Sequence, residues 1–137
     1  MNKLYIATIV IFLMIASAVS VFAAYGDVMI ADFYFIKIRC SAGGYNAQQR
    51  ADAIQARAND LLTLDGIDMS SVIVKKVGKE APIYAGGKLL VTVNECDARA
   101  NKTTVMKLAN IWAARFREIY PKAVPIRPGS ADQPATQ

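Results

Sequence analysis

Residues 72–94 read VIVKKVGKEAPIYAGGKLLVTVN, a stretch in which apolar runs alternate with turn residues. Gly86-Gly87 separates two of the runs, and paired glycines favour a tight hairpin because both positions accept positive φ. Gly78-Lys79-Glu80 marks an earlier turn. The pattern predicts a three-stranded meander with strands at residues 72–77, 81–85 and 88–94. Pro82 cannot donate to a strand ladder, so we expect it at the start of the middle strand or at a bulge.

A further strand is predicted upstream, at residues 28–40, which read VMIADFYFIKIRC and are rich in β-branched and aromatic side chains. Successive side chains of a strand point to opposite faces. The core face is then formed by Tyr34, Ile36, Ile38 and Cys40, and the opposite face by Phe33, Phe35, Lys37 and Arg39. We expect Phe33 and Phe35 to be covered by a helix; the alternative is that they form part of a contact surface.

Two amphipathic helices flank the meander. The first is predicted at residues 47–64, after the N-cap residue Asn46. Its apolar stripe contains Ala51, Ile54, Ala58, Leu61 and Leu62, and its polar side contains Gln48, Gln49, Arg50, Asp52, Arg57 and Asp60. The second follows Thr103 or Thr104 and ends at Pro121, with an apolar stripe of Val105, Leu108, Ala109, Trp112, Phe116 and Ile119. Trp112 is expected to anchor the core, and residues 95–101 to form one helical turn.

This order of elements predicts an α+β fold: strand, helix, three-strand meander, helix. We expect one four-stranded sheet with two helices packed on one face. Residues 24–123 would form a single α+β domain. Residues 124–137 contain three prolines and are expected to form a disordered Pro-rich tail.

The N-terminus has the organisation of an export signal. Lys3 is followed by an uncharged apolar stretch, and Val21-Phe22-Ala23 fits the small-residue rule for cleavage. Residues 1–23 are therefore predicted to be a signal peptide cleaved after Ala23. The alternative is an uncleaved membrane anchor, because the uncharged stretch is long enough to span a bilayer. Both alternatives place the domain outside the cytoplasm, in the periplasm or the extracellular space.

The composition excludes several classes of chemistry. The 137 residues include no histidine, which rules out Ser-His-Asp and Cys-His nucleophiles and imidazole bases. The glycine pairs lack the spacing of a phosphate-binding loop. Glu95 and Asp97 stand two apart after a strand, where carboxylates are more often helix caps than a catalytic pair. We therefore expect no enzyme activity, no cofactor and no metal site.

The two cysteines, Cys40 and Cys96, both lie in the exported part of the chain, and each follows a predicted strand. An even pair in an oxidising compartment is normally a disulfide. Such a bond would place the ends of the first and last strands side by side, with Cα atoms about 5.5 Å apart. The alternative is a pair of buried free thiols.

Sixteen Lys and Arg against eleven Asp and Glu give the chain a net charge of +5. Four lysines of the meander form a candidate basic contact surface: Lys75, Lys76, Lys79 and Lys88. For an exported protein the matching partners are an envelope protein, lipid head groups or an anionic wall polymer, and nucleic acid is not expected. The alternative is a solvated face without a partner.

Three motifs resemble a known bacterial domain: YNAQQRADAI at residues 45–54, Val77-Gly78-Lys79, and LVTVNECDARAN at residues 90–101. The chain is similar to a small exported α+β domain that occurs alone or in front of some small-conductance mechanosensitive-channel-like proteins. The resemblance implies an accessory or sensory module. Because no further hydrophobic segment follows residue 26, we expect no pore in this chain. The chain departs from this pattern at Cys40, Cys96 and Lys102.

The sequence thus favours a non-catalytic binding or sensing module of the cell envelope, with membrane contact only through an uncleaved N-terminal segment. The alternative is a self-assembling structural protein, a homo-oligomer in which the strand at residues 28–40 pairs between subunits.

Overall fold

The computed structural model describes residues 25–124, which form five strands and three α-helices. In chain order these are β1 (Gly26–Ile30), β2 (Phe33–Ile38), α1 (Ala47–Leu62), β3 (Ile73–Val74), β4 (Ala81–Ala85), β5 (Lys88–Val93), α2 (Glu95–Ala100) and α3 (Val105–Ala123). A 3-10 turn, Met69–Ser71, precedes β3. The predicted α+β class is confirmed. The signal peptide predicted at residues 1–23 and the tail from residue 125 onward lie outside the described residues.

The strands form two small antiparallel sheets, β1–β2 and β3–β4–β5, and not the expected single four-stranded sheet. The main reason is a turn inside the predicted strand at residues 28–40. Ala31 has a φ of 50°, and the chain reverses there so that Gly26 pairs with Ile38 and Ile30 with Phe33. Helices α1 and α3 each contact strands of both sheets.

A β-bulge in β2 explains why the predicted alternation of side chains fails there. Val28 pairs with Ile36 and Met29 pairs with Tyr34, which leaves Phe35 as the extra residue. Phe35 and Ile36 are consequently both buried. Tyr34, predicted to face the core, is instead 42% exposed. The covering of Phe35 by a helix is confirmed, whereas Phe33 remains 40% exposed.

The meander follows the predicted order, although its first strand is shorter than expected. β3 contains only Ile73 and Val74. Beyond them the Lys75 N–H donates to the Pro82 carbonyl (3.0 Å), and Val77 and Glu80 form an isolated bridge with two main-chain hydrogen bonds (2.9 and 3.0 Å). Pro82 is the second residue of β4, close to the predicted position. The main-chain groups of its partner in β5, Thr92, point away from β4. The missing N–H of Pro82 therefore removes no hydrogen bond between β4 and β5.

Helix α1 lies very close to β1. A Cβ atom added at Gly26 would lie 2.1 Å from the Cβ of Ala51, so the contact requires a glycine in the strand and a small residue in the helix. The predicted N-cap Asn46 is confirmed, and it forms a capping box with Gln49. Further along the helix, the Gln55 carboxamide accepts from the Met29 N–H (2.8 Å) and donates to the Met29 carbonyl (2.7 Å), as a neighbouring strand would.

Helix α3 packs against both sheets and closes the core. Phe116 meets Phe35 edge-on, with ring centroids 5.9 Å apart, and Trp112 is buried as predicted. The buried Tyr120 hydroxyl donates to the Leu61 carbonyl at the end of α1 (3.0 Å), and burial raises the pKa of this phenol.

The prediction that the helix ends at Pro121 is wrong, because the helix continues to Ala123. The proline removes only its own N–H bond, while the Val124 N–H still donates to the Tyr120 carbonyl (3.1 Å). Tyr120, bonded to α1, holds this last turn in place.

Candidate functional site

A buried ion pair joins the ends of the two sheets. The Arg50 guanidinium of α1 binds both carboxylate oxygens of Asp97 in α2, at 2.9 and 2.8 Å. The same guanidinium donates to the carbonyls of Cys40, after β2, and Thr92, in β5 (2.6 and 3.2 Å). The side chains of Arg50 and Asp97 are only 9% and 1% exposed. Arg50 thus stands between the two sheets and takes carbonyls that would otherwise need partners.

The prediction that Arg50 lies on the polar side of the helix is wrong, because its side chain is buried. Its position carried a signal, because Arg50 lies three residues after Ala47 and four before Ile54, both of which are buried on the same stripe. A bidentate partner compensates the cost of removing the charge from water. A charged residue at a position of the apolar stripe is therefore the sequence signal that could have indicated a buried ion pair.

Asp97 and Glu95 do not face a common pocket. Asp97 points inward to Arg50 and also caps α2, where it forms a capping box with Asn94. Glu95 is exposed and lies 3.8 Å from Lys79. The prediction that these carboxylates cap the helix is confirmed for Asp97, and Glu95 lies in the first turn of the same helix.

The Cys40–Cys96 disulfide is present, with Cα atoms 6.0 Å apart. It joins the segment after β2 to the first turn of α2. Cys96 neighbours Asp97 in the chain, and the Cys40 carbonyl accepts from Arg50, so the covalent link and the ion pair secure the same junction. The predicted proximity of the ends of the first and last strands is confirmed.

A groove of about 280 Å³ opens beside this junction, between α1 and β5. One end is closed by the turn at residues 42–45, in which Ala42 and Tyr45 exchange two main-chain hydrogen bonds (both 3.0 Å). Gly43 and Gly44 both have positive φ (59° and 81°), as this tight turn requires. The remaining lining residues come from α1, from the start of β4 and from β5: Arg50, Ala53, Ile54, Arg57, Glu80, Leu89, Val91, Thr92 and Asn94.

The groove is lined by hydrogen-bond donors that residues 25–124 do not use. Four of the five N–H groups of Arg50 are bonded as described, and its Nε–H has no acceptor in the described part. Every buried side-chain nitrogen or oxygen there has a partner, so this Nε–H, on a residue that lines the groove, is not fully buried. Arg57 is exposed and has no ion-pair partner among residues 25–124.

The four lysines of the predicted basic contact surface are all exposed but do not form one cluster. Lys88 pairs with Ala85 at the far end of β4, whereas Lys75 bonds Pro82 near its start. Lys75 lies over the ring of Tyr84, 5.0 Å from its centroid, and Lys79 pairs with Glu95. Lys76 and Lys79 both line a second depression. A basic contact surface formed by these side chains stays a prediction.

Within residues 25–124, no helix combines the length and the apolar character needed to cross a membrane. The same residues contain no group of three or more cysteine or acidic side chains placed to hold a metal ion.

Comparison with known proteins gives one family. Residues 28–122 match the model of a family described as a domain of unknown function, DUF8459. No curated protein and no solved structure matches the chain. The matched segment covers more than half of the chain and runs from β1 to the last turn of α3, so the chain belongs to the DUF8459 family.

Proposed function

We propose that this protein is an exported, non-catalytic binding module of the cell envelope, and that it holds its partner in the groove between α1 and β5. The observation that carries the proposal is the set of unused donors in this groove, the Arg50 Nε–H and the Arg57 guanidinium. Solvent-accessible polar groups fixed on rigid elements beside an apolar wall are typical of ligand sites. Arg50 is held rigidly by its ion pair, which favours a preformed site.

Export is supported by the disulfide, because such bonds persist in oxidising compartments. The signal-like residues 1–23 and the resemblance to exported domains point the same way. The intact mass of the protein from its native cells, alkylated with and without reduction, tests this part. We expect a mass that begins at Ala24 and alkylation only after reduction. A full-length mass with both thiols free would overturn it.

A non-catalytic role is supported by the use of the polar groups at the junction. Asp97 accepts two hydrogen bonds from Arg50 and one from the Asn94 N–H, and its side chain is only 1% exposed, so a substrate has little access to it. Its companion Glu95 points elsewhere, toward Lys79. The carboxylates therefore serve the fold, and the groove is left with groups suited to recognition.

Site-specific photocrosslinking tests the binding role. A photoreactive amino acid is placed at Ala53, which lines the groove, and in a matched variant at Asn110, which is exposed on α3. In intact cells of the source organism we expect one adduct, identified by mass spectrometry, from the Ala53 position only. Arg57→Glu should abolish it. Equal adducts from both positions, or none from either, would refute binding in this groove.

A second candidate function is assembly through the β1–β2 hairpin. It is favoured by the exposed apolar side chains of β2 and α3, Phe33, Tyr34 and Ile111 (40%, 42% and 57% exposed). Light scattering of the purified exported chain separates the two functions. A monomer at millimolar concentration contradicts assembly, whereas a dimer that Tyr34→Lys dissociates supports it.

A further inference from the structure

We propose that the groove between α1 and β5 binds an extended peptide segment of a partner protein, with a carboxylate at its Arg57 end and a positive group at its Glu80 end. This inference rests on the proposed function and names the ligand of the same site. It is carried by two opposite charges at the two ends of the groove, neither with an ion-pair partner among residues 25–124, and by the donors beside Glu80.

The charges lie at opposite ends of the groove. Ala81 pairs with Val93, so Glu80 lies beside Asn94, at the end closed by the turn at residues 42–45. Arg50 bonds Thr92 and therefore lies near this same end. Arg57 follows Arg50 by two helical turns, which is about 10 Å along the axis of α1. Neither Glu80 nor Arg57 has an ion-pair partner among residues 25–124.

The Glu80 end of the groove supplies donors for a peptide main chain. The Arg50 Nε–H, which is not fully buried, lies there, and the Asn94 carboxamide nitrogen has no acceptor among residues 25–124. Main-chain carbonyls of an extended segment are suitable acceptors for such groups. Ile54, Leu89 and Val91 form an apolar wall against which one or two aliphatic side chains can pack.

The length and the charges together favour a peptide over a compact anion. About 10 Å corresponds to three residues of extended chain, so a segment of roughly four or five residues spans the groove. A phosphate at Arg57 would leave Glu80 and the donors beside it unused, and a polyanion long enough to span the groove would be repelled by Glu80. A segment with one acidic and one basic side chain satisfies both ends, in either chain direction.

Four synthetic pentapeptides test the inference on the purified exported full chain. They are acetylated, amidated and differ only at their ends: Lys-Ala-Val-Ala-Glu, Glu-Ala-Val-Ala-Glu, Lys-Ala-Val-Ala-Lys and Gln-Ala-Val-Ala-Gln. Binding is followed by amide chemical shifts of the labelled protein. We expect the Lys/Glu peptide to bind most tightly, with shifts confined to α1, the turn at residues 42–45 and β5.

Charge variants make the test specific. Arg57→Glu makes both ends of the groove acidic and should weaken the Lys/Glu peptide by roughly tenfold and make the doubly basic peptide the preferred one. Lys107→Glu, an equal change of net charge at an exposed position of α3, should leave the order unchanged. Both side chains are exposed, so neither variant should disturb folding.

Several outcomes would overturn the inference. These are equal binding of all four peptides, an order that shifts as much in Lys107→Glu as in Arg57→Glu, or displacement of the Lys/Glu peptide by equimolar inorganic phosphate. If no peptide binds but the Ala53 crosslink persists in cells, the peptide inference is wrong and the binding role stands. If the Ala53 crosslink is absent as well, both are wrong.

Discussion

Removing the Asp97 carboxylate should strongly destabilise the fold. Asp97→Ala leaves the Arg50 charge buried without its partner and also removes the acceptor of the Asn94 N–H at the start of α2. Breaking a buried pair from one side costs about 3–5 kcal/mol, because the remaining charge is uncompensated. Domains of this size have a total stability of only about 5–15 kcal/mol. The variant should therefore lose a large share of its free energy of unfolding.

Urea unfolding of the disulfide-intact protein, followed by circular dichroism, measures this loss. The midpoint should fall at an unchanged slope, since the surface exposed on unfolding is the same. A companion variant, Arg50→Met with Asp97→Asn, carries no unpaired charge and should cost less than Asp97→Ala alone. Glu118→Ala is the control, because it breaks an exposed pair with Lys122 and should not measurably shift the midpoint.

Two results would refute this reasoning. A loss below about 1 kcal/mol for Asp97→Ala would place the pair in the range of solvent-exposed salt bridges. The second is a companion variant whose loss of unfolding free energy equals the sum of the losses from Arg50→Met and Asp97→Asn alone. That result would mean that Arg50 and Asp97 contribute independently.

Three further predictions concern packing, the disulfide and pH. Gly26→Ala should cost about 1–3 kcal/mol by overpacking against α1, and Ala51→Gly in the same chain should recover part of the loss in urea midpoint. Replacing Cys40 and Cys96 by alanine opens a link across 56 residues and should cost about 4 kcal/mol, measured by thermal unfolding. Burial raises the pKa of Tyr120 above 10.0, so its contribution to stability is present below that pH and is lost as pH rises through the folded-state value. Urea midpoints at pH 9 and 11 should fall more for the native chain than for Tyr120→Phe; equal falls would contradict this.

The elements that depend on local signals were predictable from the sequence. Asn46 caps α1, paired glycines mark the β4–β5 hairpin, and the apolar spacing around Trp112 defines α3. Each signal acts within a few residues and does not depend on the rest of the fold. The disulfide was also predictable, because a pair of cysteines in a chain predicted to be exported has few alternatives.

The features that could not be predicted depend on contacts between parts of the chain that are distant in sequence. The turn at Ala31 uses an alanine with positive φ, a conformation that no residue preference indicates. The bulge at Phe35 then reverses the alternation that an unbroken strand would have. The partnership of Arg50 with Asp97 spans 47 positions, so periodicity could place Arg50 on the stripe but could not name its partner.

The Gln55 carboxamide, which bonds both main-chain groups of Met29, limits how large an assembly the hairpin can build. A two-stranded sheet in which both edges are free can pair with strands of other molecules on both sides, and such an assembly has no size limit. Here the β1 border is occupied by an amide from the same chain, so another molecule can add only alongside β2. If two chains pair through their β2 edges about a twofold axis, neither chain has a free edge left in this hairpin. Association through the hairpin therefore gives a closed dimer and not a filament.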